Sequence, residues 1–218
     1  MERTLLVSDA DTPLGRELVR LFAARGFQVA ALVTGDQAHE FPGTGSRPPL
    51  VVPWARRTPA SARTAVLSTL NRFGALDEAV VLGLPQSPPT LPHELSSVEI
   101  EKAADLWLKG PAFLVRECLG HFLRQAGGVL SLACVSSRRE DEPSPALERA
   151  ALEGWRGFAA GVLGSYSEKA VFINGFRSHG AGPEEVAAFI DRTLEEKARR
   201  ITGRWFSCQA RGGILGRR

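Results

Sequence analysis

Short apolar runs and stretches of helical periodicity alternate along the chain. The first apolar run covers residues 4–8, and residues 14–25 then carry apolar side chains at the spacing of one helix face. Gly26 ends this helix, and a second apolar run covers residues 27–33. A strand, a helix and a second strand form a βαβ unit, whose crossover requires the two strands to be parallel. The pattern therefore predicts an α/β fold built on a parallel sheet.

The same alternation continues to the end of the chain. The predicted strands are residues 4–8, 27–33, 50–53, 78–82, 129–134, 171–174 and 204–208. The predicted helices are residues 14–25, 59–73, 97–124, 146–163 and 184–197. Gly110 and Pro111 are expected to break or kink the third helix. We predict a single domain over residues 1–218, with three α/β/α layers and about seven parallel strands.

Composition and charge limit the partners that we expect. Of the 218 residues 44% are hydrophobic and 23% are charged, which is typical of a soluble globular protein. The net charge is only +3 and the basic residues are scattered among acids, so no nucleic-acid partner is expected. Strand-like sequence begins at residue 4 and no apolar run is long enough to span a bilayer, which predicts a cytoplasmic protein without a membrane segment.

The cysteines and histidines do not suggest a disulfide framework or a metal site. Cys118, Cys134 and Cys208 are odd in number and far apart, which favours a reducing compartment. We expect all three to be buried as small apolar residues. The four histidines are scattered without the spacing of metal ligands.

Several short motifs occur in one order along the chain. Residues 73–77 read Phe-Gly-Ala-Leu-Asp, residues 108–110 read Leu-Lys-Gly, and residues 127–130 read Gly-Gly-Val-Leu. Ile-Thr-Gly at 201–203 is followed by Gly-Gly at 212–213. In order and spacing these pieces resemble the short-chain dehydrogenase/reductase family, nearly from end to end. The resemblance implies a dinucleotide-binding Rossmann fold.

The phosphate-binding loop of that family is much altered here. Gly15 is the only one of its three glycines that remains. The glycines normally let a pyrophosphate approach a helix N-terminus. Asp9 and Asp11 instead stand where the anion would lie, and Pro13 removes one backbone donor. We predict that Asp11 or Thr12 caps the helix and that dinucleotide binding is weakened.

Other cofactor contacts implied by the resemblance are also altered. Asp36 stands slightly late for an acid that binds the ribose, and Arg16 is a candidate for binding a 2′-phosphate. Ala55 replaces the family's Asp after the third strand, and residues 81–84 replace its Asn-Asn-Ala-Gly turn. The remaining cofactor-binding candidates are Thr12, Gly15, Arg16 and Arg149. No cofactor is expected, although weak binding of NAD or NADP stays open.

The catalytic positions are replaced as well. The family's Asn, Ser, Tyr and Lys align with Trp107, Val135, Pro145 and Arg149. Pro145 has no titratable group, and the guanidinium of Arg149 cannot donate a proton at neutral pH. Ser136 and Ser137 could replace the missing Ser through a shift in register.

The sequence contains neither a substitute for the catalytic tyrosine nor a full-length substrate lid. Tyr166 precedes Lys169 at a spacing of three and is expected to be a packed aromatic residue remote from the cleft. The lid after the sixth strand is reduced to residues 177–183, which are too few to close over a substrate. We therefore predict no catalytic residue.

Three functional hypotheses follow. The leading hypothesis is a catalytically inactive binding or assembly module. The second is an NAD(P)-dependent oxidoreductase that uses substitute residues such as Ser136 and Arg149. The third is a regulator that senses a nucleotide or a small metabolite in the old cleft.

The resemblance also implies an oligomer. In this family the helices that correspond to residues 97–124 and 146–163 pack across a two-fold axis, which predicts a homodimer, a homotetramer or a mixed oligomer with an intact relative. The second helix carries small residues that permit close approach, and these are Ala150, Ala151, Gly154, Ala159, Ala160 and Gly161. The same residues are equally compatible with packing of the helix on its own sheet.

Overall fold

A computed structural model describes residues 2–34, 41, 48–166 and 169–209. Its sheet is formed by β1 Thr4–Val7, β2 Gln28–Val33, β3 Leu50–Pro53, β4 Glu78–Gly83, β5 Val129–Ser136, β6 Phe172–His179 and β7 Arg204–Gln209. The described strands lie in the order β3-β2-β1-β4-β5-β6-β7, and every neighbouring pair is parallel. The predicted Rossmann-like α/β fold with about seven parallel strands is confirmed.

Helices cover both faces of the sheet. They are α1 Pro13–Ala24, α2 Pro59–Phe73, α3 Ser97–Ala104, α4 Gly110–Arg124, α5 Ala146–Ser165 and α6 Pro183–Thr193. One apolar core lies between the sheet and α1 and α6, and the other lies between the sheet and α2, α4 and α5. The central strands are buried on both sides, which explains their continuous apolar runs. Among the described helices none is long and apolar enough to cross a membrane.

Local signals in the sequence determine where several helices begin. The side chains of Thr12 and Thr58 cap α1 and α2, and each helix has a proline in its first turn. Ser96 and Glu99 form a reciprocal capping box at the start of α3. The three cysteines are free and buried, as predicted.

The long helix predicted at residues 97–124 is divided in the structure. A π-helical turn, Asp105–Lys109, lies between α3 and α4, so the irregularity precedes the predicted break at Gly110. A Cβ atom on Gly110 would overlap the Cβ atom of Arg56. Gly110 therefore allows the loop after β3 to approach the start of α4 closely.

Strand β6 is longer than the sequence predicts. Its pairing with both β5 and β7 continues to His179, whereas the predicted strand ends at Asn174. The neighbouring strands supply hydrogen bonds on both sides, so residues 175–179 remain a strand although the last three of them are polar. The predicted lid at residues 177–183 is corrected accordingly, because only residues 180–182 remain between β6 and α6.

Candidate functional site

The order of the strands reverses between β1 and β4, and the crevice beyond their carboxyl ends is where open α/β sheets bind ligands. In this protein, side chains of the chain itself occupy that crevice. Asp9, directly beyond β1, forms an ion pair with Arg56 from the loop after β3. Only 1% of the Asp9 side chain and 12% of the Arg56 side chain are exposed. The pair is therefore almost entirely withdrawn from water.

Further contacts hold Arg56 across the crevice. Its Nη1 donates a hydrogen bond of 3.0 Å to the carbonyl oxygen of Leu106 in the π-helical turn. Its guanidinium lies 5.2 Å from the ring centroid of Trp54, which is a cation–π contact. Burial lowers the pKa of Arg56 to about 10, so the side chain still carries its charge at neutral pH. Arg56 thus connects the ends of β1 and β3 to the start of α4.

The backbone around Asp9 is adapted to this arrangement. Asp9 has a φ of 53°, in the left-handed region that favours glycine. The Ser8 hydroxyl donates to the Asp9 carboxylate at 2.6 Å and accepts from the backbone N–H of Leu82 at 2.8 Å. A Cβ atom on Gly15 would overlap the Asp9 carbonyl oxygen. Gly15 is therefore required for the close packing of α1 against the end of β1.

The predicted helix cap is formed by Thr12 and not by Asp11. The Thr12 hydroxyl accepts from the backbone N–H of Gly15 at 3.1 Å and donates to the Asp9 carbonyl at 2.6 Å. The Asp11 carboxylate instead accepts hydrogen bonds from the backbone and the hydroxyl of Thr34, just beyond β2. Part of the helix N-terminus, which would face a phosphate in the resembling family, is therefore satisfied internally.

The cofactor candidates predicted from the sequence lie on two helices, α1 and α5. Arg16 donates to the Asp11 carbonyl at 3.3 Å and lies 5.6 Å from the ring centroid of Phe41. Arg149 is exposed on the first turn of α5. Asp36 and the Gly-Gly pair at 212–213 lie outside the described residues. The structure brings Thr12, Gly15 and Arg16 together at the start of α1.

The residues that the sequence resemblance aligns with the family's Asn, Ser and Tyr are a tryptophan, a valine and a proline. Trp107 is half-buried in the π-helical turn, Val135 is buried in β5, and Pro145 is the N-cap of α5. The Ser136 hydroxyl accepts a hydrogen bond of 3.1 Å from the backbone N–H of Arg138. Tyr166 packs against the core at the end of α5, as predicted.

Two charged residues at this end of the sheet were not identified from the sequence. One is Arg56, and the other is Glu148, which is only 6% exposed. The Glu148 carboxylate accepts from the Arg138 guanidinium at 3.2 Å and from the backbone N–H of Ser87 at 3.2 Å. It therefore joins the loops after β4 and β5. The only signal for Glu148 in the sequence was its place one residue before Arg149. The resemblance aligns Arg149 with the family's catalytic Lys.

No cluster of metal-ligating side chains is found within the described ranges. The chemical groups that converge in the crevice are thus one guanidinium, one carboxylate and the hydroxyl groups of Ser8 and Thr12. These groups already bond to one another. The ion pair and these hydrogen bonds hold the described side chains of the crevice against one another.

Comparison with solved structures gives the same fold. A short-chain dehydrogenase/reductase mutant from Serratia marcescens superposes with a TM-score of 0.79 at 16% identity, covering 95% of this chain and 96% of that chain. An NADH-dependent reductase responsible for alginate metabolism has a TM-score of 0.80 at 13% identity, covering 99% and 98%. Acetoin dehydrogenase from Enterobacter cloacae has a TM-score of 0.80 at 15% identity, covering 96% and 94%. No protein-family model and no curated protein matches the chain.

Proposed function

We propose that this protein is a catalytically inactive binding or assembly module with the fold of short-chain dehydrogenases/reductases. The observation that carries the proposal is the buried Asp9–Arg56 ion pair in the crevice where an open α/β sheet would hold its nucleotide. The altered phosphate loop and the replaced catalytic residues support it.

The ion pair opposes nucleotide binding energetically. A dinucleotide that lies across the ends of β1 and β3 must displace Arg56, which leaves the Asp9 carboxylate buried without its cation. Breaking a buried pair in this way typically costs about 3–5 kcal/mol. That free energy corresponds to a loss of affinity of roughly a hundredfold to a few thousandfold.

The chemistry of the replaced positions supports inactivity. Reduction of a carbonyl group needs a proton donor beside the hydride acceptor. Pro145 and Val135 have no polar side-chain atom, and Arg149 is a permanent cation on the surface. Ser136 would first have to release the backbone N–H of Arg138.

Four glycines on α5 support the assembly part of the proposal. Gly154, Gly157, Gly161 and Gly164 lie on one exposed face of the helix, and a Cβ atom added to any of them would meet nothing within 4 Å. An exposed glycine inside a helix destabilises it by about 1 kcal/mol relative to alanine. Close approach of a second helix would offset this loss. We therefore propose that α5, together with α3 and α4, forms the interface of a homo-oligomer or of a mixed oligomer with an intact relative.

Nucleotide titration tests the proposal. The wild-type protein should show no thermal shift and no heat of binding with NAD+, NADH, NADP+ or NADPH. The double variant Asp9→Gly with Arg56→Ala removes the ion pair and is expected to gain weak binding. A wild-type protein stabilised by about 2.7 kcal/mol at a hundredfold excess of nucleotide over its Kd would contradict the proposal.

The oxidoreductase hypothesis has its own test. Solved structures with this fold include an NADH-dependent reductase and a protein with NADPH bound, which favours a residual cofactor site. Turnover of a nicotinamide cofactor with a panel of ketones and aldehydes would revive this alternative, especially if Arg149→Ala abolished it. We expect no turnover above the rate without protein.

The oligomer is tested separately. Light scattering of the wild-type protein should give the mass of a dimer or a larger assembly. The variant Gly157→Trp, which places a large side chain on the glycine face, should be monomeric. Ala188→Trp places the same side chain on the exposed surface of α6, on the other face of the sheet, and is the matched control that should keep the mass. A monomeric wild-type protein would remove the assembly part of the proposal.

A further inference from the structure

A cavity of about 350 Å³ lies between the loop after β4, helix α3, the π-helical turn and the start of α5. Its apolar walls are formed by Leu95, Ala103, Leu106, Trp107 and Leu147. Ligand sites are typically cavities of this size with apolar walls and a few polar groups. We propose that this cavity binds a small, largely apolar molecule that carries one carboxylate group.

The apolar walls of the cavity are the reason why we propose a largely apolar ligand. Trp107, Leu106 and Leu147 are each only half-buried, so they retain apolar surface that a ligand could remove from water. The indole of Trp107 offers a flat face, which favours a ring or an extended alkyl chain. Trp107 stands at the position of the family's catalytic Asn, where an apolar residue is otherwise unexpected.

The charged side chains that line the cavity are the reason why we propose a carboxylate group on the ligand. Lys102 lines the cavity, is exposed and has no ion-pair partner among the residues that the structure describes. Glu99 also lines the cavity, but its Oε2 accepts hydrogen bonds from the backbone N–H of Ser96 at 2.8 Å and from its hydroxyl at 2.6 Å. These bonds lower the pKa of Glu99 and commit its carboxylate to the capping box. Lys102 is therefore the cation that remains for an anionic ligand.

A second polar group lies in the wall. The hydroxyl of Ser87 is buried and has no hydrogen-bond partner within the described part of the chain. Unpartnered buried hydroxyls are rare in proteins. Rotation about its χ1 angle would let Ser87 donate to a carboxylate oxygen in the cavity. Behind it, Glu148 bonds to the Ser87 backbone and to Arg138, which holds this wall in place.

This inference goes beyond the proposed function, because the cavity is separate from the nucleotide crevice. Leu106 belongs to both places, because its carbonyl oxygen accepts a hydrogen bond from Arg56 and the residue also lines the cavity. Binding in the cavity does not depend on whether the Asp9–Arg56 ion pair closes the nucleotide crevice. The proposal here therefore fails or succeeds independently of the nucleotide titration.

The test uses two matched probes on the full-length protein, 3-phenylpropionate and its neutral amide, 3-phenylpropanamide. Calorimetry should give a Kd below about 1 mM for the acid and a Kd about threefold higher for the amide. Lys102→Gln should weaken the acid to the level of the amide and leave the amide unchanged. Leu147→Trp, which fills the cavity, should abolish binding of both. Lys109→Gln is the matched control, because Lys109 pairs with Asp105 outside the cavity, and it should change neither Kd.

A readout from the wild-type protein avoids dependence on variants that fail to fold. The indole N–H resonance of Trp107, assigned by its loss in Trp107→Phe, should shift on titration with the acid. The proposal is overturned if that resonance does not move, if neither probe binds, or if Lys102→Gln leaves the preference for the acid intact. The four dinucleotides, titrated into the same preparation, report on the nucleotide crevice alone.

Discussion

Two arginine–carboxylate pairs lie at opposite ends of the parallel strands and differ in what surrounds them. At the carboxyl end Asp9 pairs with Arg56, and their side chains are 1% and 12% exposed. At the amino end Glu78, the first residue of β4, pairs with Arg199, and their side chains are 4% and 12% exposed. The residue chemistry and the burial are nearly the same at both ends.

The pair at the amino end closes the packing of the fold. Arg199 donates to both oxygens of Glu78, at 2.8 and 3.0 Å, and also pairs with Glu195. Its guanidinium lies 5.6 Å from the ring centroid of Phe27. Burial alone would lower the pKa of Arg199, but its bonds to Glu78 and Glu195 raise it above the ordinary value. This cluster attaches the segment after α6 to the start of β4.

The two ion pairs differ in whether they lie at the end of the sheet where a ligand would bind. Ligands bind at the carboxyl ends of the strands in open α/β sheets, so a buried pair at the amino end displaces nothing. The Asp9–Arg56 pair occupies the ligand end and spans three strands and a helix. Under the proposed function, the same kind of interaction that closes the packing at one end opposes the binding of a ligand at the other.

The largest expected effect comes from removing the carboxylate at the amino end. Glu78→Ala leaves the buried Arg199 with Glu195 as its remaining partner and should lower the free energy of unfolding by about 3–5 kcal/mol. Urea denaturation measures it. Glu17→Ala, which breaks the more exposed Glu17–Arg20 pair, is the control and should change stability by less than about 1 kcal/mol. Equal losses in the two variants would show that burial of Glu78 contributes nothing.

Two substitutions of Asp9 separate charge from backbone strain. Asp9→Ala should destabilise by about 3 kcal/mol, because Arg56 loses its carboxylate. Asp9→Gly loses the same carboxylate but should be about 1 kcal/mol more stable than Asp9→Ala, because glycine adopts the φ of 53° without strain. Chemical denaturation of the two variants in parallel measures the difference. If the alanine variant were the more stable of the two, the strain argument would be wrong.

The contrast between the two ends also shows what the sequence could predict. The cap at the start of α1, which the sequence left open between Asp11 and Thr12, the break near Gly110 and the parallel α/β alternation follow from local chemistry and short-range periodicity. The sequence does not predict the partner of Asp9, because Arg56 follows β3 and reaches Asp9 across the end of β2. No local pattern in a loop specifies a contact that distant.

Strand β6 was predicted too short for a related reason. Its last residues are polar, and their extended form depends on β5 and β7 on either side. Glu148 was missed because a charged residue on a helix usually faces solvent, whereas here its carboxylate turns inward to Ser87 and Arg138. Contacts formed by distant parts of the chain thus account for most of what the sequence did not predict.

A pair of glycine substitutions tests the close packing at the ligand end. Gly15→Ala should lower the free energy of unfolding by about 1–3 kcal/mol, because its Cβ atom would overlap the backbone at Asp9. Gly157→Ala meets no neighbour within its own chain and should raise the free energy of unfolding of the monomer by up to about 1 kcal/mol, so both variants are measured at a protein concentration that dissociates any oligomer. Thermal unfolding of the two variants side by side checks both signs. A neutral Gly15→Ala would mean that α1 can move away from Asp9 freely.

The smallest expected effect concerns pH and belongs to the amino end. His121, in the last turn of α4, is half-buried beside the loop that leads into β4. Burial, and next the charge of Arg124, lower its pKa below 6.5, although the Leu76 carbonyl, Gln125 and Asp77 act in the opposite direction. The unfolded chain therefore takes up a proton at this residue before the folded chain does. Stability should decline as the pH falls through 6.5 towards the lower pKa of the folded state.

Urea denaturation at about pH 7.5 and about pH 5.5 measures this decline. His121→Gln should lose less stability over that interval than the wild-type protein, because glutamine takes up no proton. His93, an exposed residue before α3, provides the matched control His93→Gln, which should lose as much as the wild type. An unchanged decline in His121→Gln would show that His121 is not the source of the acid sensitivity.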